Sequence, residues 1–357
     1  MFQAQLAIAL LTLFVALLIA YAVPRRPITG KGFWIRLLKD QTGGVEFDLI
    51  SKDAQRALEE FSQDLAAALT QGGVETWAKD LGLYRPSRAL KTTYPIPVSA
   101  ALYRELKGDL KYRSLFEKSL ELKPKTWQDG IEELASVIEA PDFVGWTGEP
   151  AAMAAAGLSL TNEIIAEALE DNPTCWDTKD FFASDHPFNV FKPSTGSFDN
   201  DHTGAGTAPT LDNLATAKTE FRTIKAPNGK PLGLRMTHVI VPPAQEETWK
   251  TLLEQDLIIQ SLDSGSTFGA VDNRHKGTVK LVVADELTND DKWYPLALNK
   301  PGMFPWIVQD EGSPEEIRND KTSDHYKRTL KVSIAYILRG NGALALPHCV
   351  QRWAGVA

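Results

Sequence analysis

A chain of 357 residues exceeds the roughly 250–300 residues at which one hydrophobic core stops growing, so two or three lobes are expected. With 43% hydrophobic and 24% charged residues, the composition is that of a folded protein and excludes a disordered tail. The formal charge of −8 argues against a surface that grips nucleic acid throughout, because such binding rests on Lys and Arg neutralising phosphates.

Met1 to Val23 carries no charge, and Leu6 to Val23 is almost wholly apolar, about the length that crosses a ~30 Å hydrocarbon core as a helix. Arg25 and Arg26 follow at once, so by itself the segment reads as a membrane anchor with its C-terminal side in the cytoplasm. Ala20-Tyr21-Ala22 resembles a cleavage site, but the lack of a basic residue before the apolar run argues against a cleaved signal. From Arg25 to Lys39 every charge is basic: either a solvated linker, or a flank that faces lipid headgroups or DNA.

Ser51 to Leu69 predicts a helix capped by Ser51, with an apolar stripe at Ala54, Leu58, Phe61, Leu65 and Leu69 and an end at Gly72-Gly73. Val74 to Leu83 predicts a short helix, and Tyr84 to Val98, rich in Pro and Thr, an extended connector. Leu115 to Leu122 and Thr126 to Leu134 read as the arms of a hairpin around Lys123-Pro124-Lys125. Ala151 to Leu169 is the longest helical pattern after it. Pro187 to Pro209 reads as a polar surface loop, and Leu211 to Ile224 as a further helix. Asn228-Gly229 supplies a tight turn, Val239 to Val241 a short strand, and Pro242-Pro243 stops that strand. From Thr237 onward short strands and turns alternate, as in a mixed α+β lobe.

Chemistry finds little support. Ser184-Asp185-His186 contains the parts of a nucleophilic triad, but such parts must converge from separate elements, and three consecutive residues point in different directions. A turn before Pro187, fixed by Asp185 and His186 through side-chain to backbone bonds, is the plainer reading. Asp199, Asp201 and His202 bring carboxylates and imidazole together without the spacing of a calcium loop, so a solvated loop is expected. The remaining histidines are dispersed, and no glycine pattern has the spacing that cradles phosphate or a dinucleotide. No catalytic residue, metal or cofactor is therefore assigned. Cys175 and Cys349 fit neither a zinc site nor a redox pair and read as two buried free thiols of a reducing compartment, with a disulfide between them as the alternative. Most of the nine tryptophans belong to cores, although Trp127 and Trp306, at apparent loop positions, also suit subunit interfaces.

Three segments in order carry a family resemblance. Pro231-Leu232-Gly233-Leu234-Arg235-Met236-Thr237-His238-Val239-Ile240-Val241-Pro242-Pro243 resembles the "rPLGirpthlvVPP" stretch of the major head subunits of Mu-like tailed phages. Cys175 to Pro187 is similar to their "CyDGqpfFstDHP" stretch, with Thr178-Lys179 where the family favours Gly and Trp176 where it favours Tyr. Gly277 to Val283 followed by Trp293-Tyr294-Pro295-Leu296 is similar to a third, "G.velvvs…WyLl". The likeness runs from about Ser114 to the C-terminus.

The resemblance implies an α+β, Hong Kong-97-like capsid fold. Its parts would be an N-terminal arm over residues 1–98, an extended-loop hairpin region over 99–150, a peripheral lobe with a long spine helix over 151–236, and an axial lobe returning to the peripheral one over 237–357. It further implies a structural shell subunit of a tailed phage or prophage, forming hexamers and pentamers of itself and enclosing DNA without specific binding, with a portal, a scaffold and a head protease as partners. Lys123, Lys125 and Trp127, at the expected hairpin tip, are the candidate intersubunit contacts. The apolar arm would then be hidden within the shell, while the alternative is a single-pass membrane-anchored protein with a cytoplasmic α+β domain.

Overall fold

The computed structural model describes residues 49–71, 76–96, 118–140, 145–146, 148–190, 193–227, 229–261, 268–312, 314–320 and 322–355. Two compact units are distinguished, Met1–Asp53 and Ala54–Ala357, and the hydrophobic cores lie in the second. The apolar Met1–Val23 segment and its basic flank fall outside the described residues. Among the described residues no helix is long and apolar enough to cross a membrane.

Helix α1 spans Leu49–Gln71. It takes in Leu49 and Ile50, so Ser51 lies inside the first turn and is not the cap. Of the expected stripe, Leu58, Phe61 and Leu65 are each 2% exposed and Leu69 is half-buried, while the Ala54 side chain lies outside the described residues. A short helix α2, Trp77–Leu81, is followed by strands β1, Leu83–Pro86, and β2, Thr92–Ile96. The Pro/Thr-rich connector is thus extended, as expected, but it is also hydrogen-bonded into sheets.

The expected hairpin is replaced by a divergence. Strands β3, Lys118–Leu122, and β4, Lys125–Leu134, form near the anticipated bounds, yet they do not pair with each other. β3 runs antiparallel to β2. β4 runs antiparallel to the 14-residue β15, Lys331–Leu344. The reason is legible in the linker. A two-residue hairpin turn needs positive φ at one or both central residues, and Lys123-Pro124 offers a proline ring fixed near −65°.

β15 organises the first sheet. β4 lies along one edge, while β13, Trp306–Asp310, and β14, Glu315–Asn319, share the other, and β1 adds in parallel to β13. Val332, Ile334 and Tyr336 alternate inward from β15 and meet α1, the short α3, Ala135–Ile138, and the start of α4, Glu149–Asp171. α4 is the long helix expected from Ala151 to Leu169. It lies against β15 at Gly342, where an added Cβ would stand 2.7 Å from Ile165 Cδ1.

The segment expected as a solvated loop from Pro187 to Pro209 carries three short strands: β5, His186–Pro187, paired with β6, Ser197–Phe198, and then β7, Asp201–Thr203. Buried Phe198 and Asn200 anchor them among polar neighbours that hide the pattern. α5, Leu211–Thr223, is capped by Thr210, whose side chain accepts from Asn213 N. Beyond it come β8, His238–Val241, α6, Glu246–Glu254, the β9–β10 hairpin of Leu257–Ser261 with Phe268–Asp272, β11, Lys280–Val283, β12, Lys292–Leu296, α7, Asp324–Thr329, and β16, Arg352–Ala354. The second sheet runs β11-β8-β12-β16-β7.

Its core holds Trp249, Trp293 and Trp353 in a row, with consecutive ring centroids 4.9 Å apart. Trp306 is no loop residue: it is fully buried in β13, its indole N–H donates to Ala78 O at 2.7 Å, and its ring meets Trp77 edge-on. The α+β class is the class the resemblance implies.

Candidate assembly surfaces and the motif turn

The corner between β3 and β4 presents Lys123 and Lys125 to solvent, and neither makes an ion pair with a described residue. Trp127 is half-buried. Its indole N–H donates to Gly340 O at 3.0 Å, and Lys125 Nζ sits 5.8 Å from its ring centroid. Asn341 Nδ2 donates to Lys123 O at 2.8 Å, tying the corner to β15. The three candidate contacts are therefore brought together, with part of Trp127 already committed to its own chain.

The Cys175–Pro187 motif is a folded staple. Thr178 N donates to Cys175 O at 3.0 Å and Cys175 N to Lys179 O at 2.6 Å, with Thr174 and Asp180 bridged beneath. This is a hairpin turn of the kind that ends on a left-handed residue, and Thr178 has φ +74°. A β-branched side chain is a steric outlier at positive φ, whereas the Gly of the stretch that this motif resembles adopts that conformation freely.

His186 is fully buried. Its Nδ1 lies 2.6 Å from Asp177 Oδ2, and its Nε2 lies 3.0 Å from Phe181 O, so the ring clamps the two ends of the turn. Burial, the largest single influence, pushes the Asp177 carboxyl up, but the bond to His186, the charge of that ring and the backbone N–H groups of Lys179 and Asp177 together outweigh it and hold Asp177 below its usual range. Asp185 instead points outward to Lys179, at 2.5 Å. Ser184, Asp185 and His186 do not converge.

Both cysteines are free. Burial pushes each thiol up to about 12, which leaves them without reactive thiolate. His348 lies tilted against Phe198 with centroids 4.5 Å apart, and its Nδ1 is enclosed without a partner among the described residues; burial, then the neighbouring His186, push it down to about 4.

Asp199, Asp201 and His202 also diverge. Asp199 accepts from Asp201 N at 2.8 Å, Asp201 takes both arms of the Arg352 guanidinium at 2.8 and 2.7 Å, and His202 faces Glu220 at 2.8 Å. Among the described residues no group of three or more side chains is placed to hold a metal.

Asn200, fully buried between them, is the residue the sequence concealed. Its Oδ1 accepts from Ala183 N at 2.9 Å, and its Nδ2 faces the carbonyls of Phe181, Pro347 and Val350. In sequence it is one more polar residue in a polar stretch, with no signal to separate it.

The profile of the family described as phage capsid protein matches residues 137–345, more than half of the chain. This chain belongs to that family. The profile of the Mu-like prophage major head subunit gpT matches residues 55–211. The major capsid protein of Escherichia phage Mu is 40% identical over 78 residues, which cover 22% of this chain and 24% of that protein. The chain thus spans about a quarter of the length of the curated relative it matches.

Similar solved structures include the procapsid of bacteriophage JBD30, at 14% identity and TM-score 0.45, over 85% of this chain and 75% of that one. A virus-like particle from Pyrococcus furiosus is similar at 9% identity and TM-score 0.46, over 83% and 98%.

Proposed function

We propose that this chain is the major shell subunit of a tailed phage or prophage head, and that its role is assembly rather than catalysis. The observation that carries the reading is the capsid-family match over residues 137–345, a stretch that spans both sheets. Copies of the chain assemble in the host cytoplasm as hexamers and pentamers into a closed icosahedral shell that encloses DNA. Portal, scaffold and head protease join it by family resemblance. Many small interfaces repeated by symmetry supply the stability, and closure satisfies sheet edges that a lone subunit leaves open.

In this reading the lobes follow the sheets and not the bounds expected from sequence: the β15 sheet with α1 and α4 forms the peripheral lobe, and the tryptophan-cored sheet with α5 and α6 the axial lobe, so α1 leaves the expected 1–98 arm and α5 the expected 151–236 lobe. Lys123, Lys125 and Trp127 meet the next subunit. The lysines contribute only about 0–1 kcal/mol each as exposed pairs, so the apolar area of Trp127 matters more. β2 pairs with β3, so the Lys123-Pro124 corner joins strands of two different sheets and does not close a hairpin. Sedimentation and negative-stain microscopy of the expressed protein test the reading. The expected result is particles far heavier than the 39.4 kDa chain. A clean monomer at all salt and protein concentrations, with scaffold supplied, would overturn it.

A further inference from the structure

Among the described residues, one cation in the axial lobe has no ion-pair partner. Lys218, on α5, is half-buried, and its ammonium donates to Thr278 Oγ1 at 2.7 Å and faces His275 Nδ1 at 2.9 Å. Both acceptors are neutral. Because the ammonium can only donate, His275 Nδ1 must accept, which leaves the ring proton on Nε2, on the side away from Lys218. One N–H of Lys218 has no protein acceptor among the described residues. Arg222, four residues on along the same helix face, adds like charge and makes no ion pair with a described residue. The nearby Lys276 is occupied by Asp256.

A chain with 46 acidic and 38 basic residues could readily have neutralised such a spot from within. The turn that receives Lys218 is firmly built: Asn273 Nδ2 donates to Leu252 O and Gln255 O, and Gly277 N to Leu253 O. The arrangement is a fixed cationic socket rather than a loose surface lysine.

We propose that the Lys218–Arg222 socket receives a side-chain carboxylate from a second copy of this chain. The inference rests on the shell-subunit reading. Charge complementarity selects the occupant, because a copy with 46 acidic and 38 basic residues carries more carboxylates than cations. Duplex DNA is a poorer fit, since phosphate tracking needs a run of cations along a groove. Burial, with Arg222 second, pushes the Lys218 amine down to about 8, so a useful fraction is nucleophilic near neutral pH and reports its own occupancy.

The test acylates wild-type protein with an amine-reactive acetyl donor, as free subunits and as assembled particles, and reads Lys218 by mass spectrometry. Expected is protection in particles of about tenfold or more, matching a carboxylate that restores the protonated amine. Lys218→Met should raise the assembly threshold several-fold and flatten its salt dependence, and Lys218→Arg should restore both. Equal labelling in the two states overturns the proposal. So does a Lys218→Met protein that assembles as wild type; if that variant also binds labelled duplex DNA more weakly, the site belongs to phosphate. Should Lys218→Met fail to fold, the wild-type labelling decides alone. Wild-type protein that never assembles sinks the shell-subunit reading itself, and this inference with it.

Discussion

Thr178→Gly should stabilise the protein. Thr178 holds φ +74° on the exposed side of the Cys175–Lys179 turn, so no buried area is lost when its side chain is removed. A left-handed conformation costs an L-residue about 1–2 kcal/mol, more when Cβ is branched. Glycine returns about 0.5–1 kcal/mol of that through the greater freedom of its unfolded chain. The net gain is about 0.5–1 kcal/mol, or a rise of about 1–3 °C in Tm for a chain of this size. Denaturant unfolding of unassembled subunits, followed by tryptophan fluorescence, reads the difference. Thr178→Asn should recover part of it, because Asn tolerates the left-handed region. If Thr178→Gly is less stable than wild type by more than about 0.5 kcal/mol, the entropy term wins and the steric argument fails.

Acid should weaken the fold through His348, whose folded value of about 4 lies below the ordinary 6.5. Between those values the unfolded chain binds a proton that the folded chain refuses, so stability falls as pH drops through that window, by about 3 kcal/mol at most. His348→Phe, which keeps an aromatic ring against Phe198, should flatten unfolding free energy measured from pH 7 to 4; an unchanged slope would count against the assignment. Gly82→Ala would put a Cβ 2.3 Å from Trp306 Cδ1 and 2.9 Å from Ala78 O, and should cost about 3 kcal/mol, the upper part of the overpacking range. A Gly82→Ala protein as stable as wild type would show that the α2–β13 contact is loose. Trp127→Ala removes the bond to Gly340 O and half-buried ring area, so the unassembled subunit should lose about 1–2 kcal/mol in denaturant titration, and an unaltered midpoint would contradict its anchoring on β15.

Periodic elements were legible in the sequence because one property, apolar spacing, decides them. The stripe at Leu58, Phe61 and Leu65 and the run from Ala151 to Leu169 gave helices, and Val239 to Val241 gave a strand. Pairing was less legible. β4 finds its partner some two hundred residues away in β15, and only the proline in Lys123-Pro124 hinted that it would not turn back on β3. The reading of the C-terminal region as short strands missed the length of β15, because Gly340 and Gly342 interrupt the pattern as turns would. They are there for close approach instead, Gly342 beneath Ile165 and Gly340 against Asp310. Polar residues with structural duties were the least visible: Asn200, Asp177 and His186 look like solvated residues until the fold closes around them.

The architecture of β15 bears on how a subunit would carry mechanical load. Antiparallel β4 runs along ten of its residues, and β13 and β14 hold its opposite edge. Tension directed along that strand loads these ladders in shear, so their hydrogen bonds must fail together, whereas tension across it would peel them one after another. A wall under pressure from packed contents is stretched within its own surface. In the shell proposed above, a β15 lying within that surface would meet the stretch in the direction its ladders resist best.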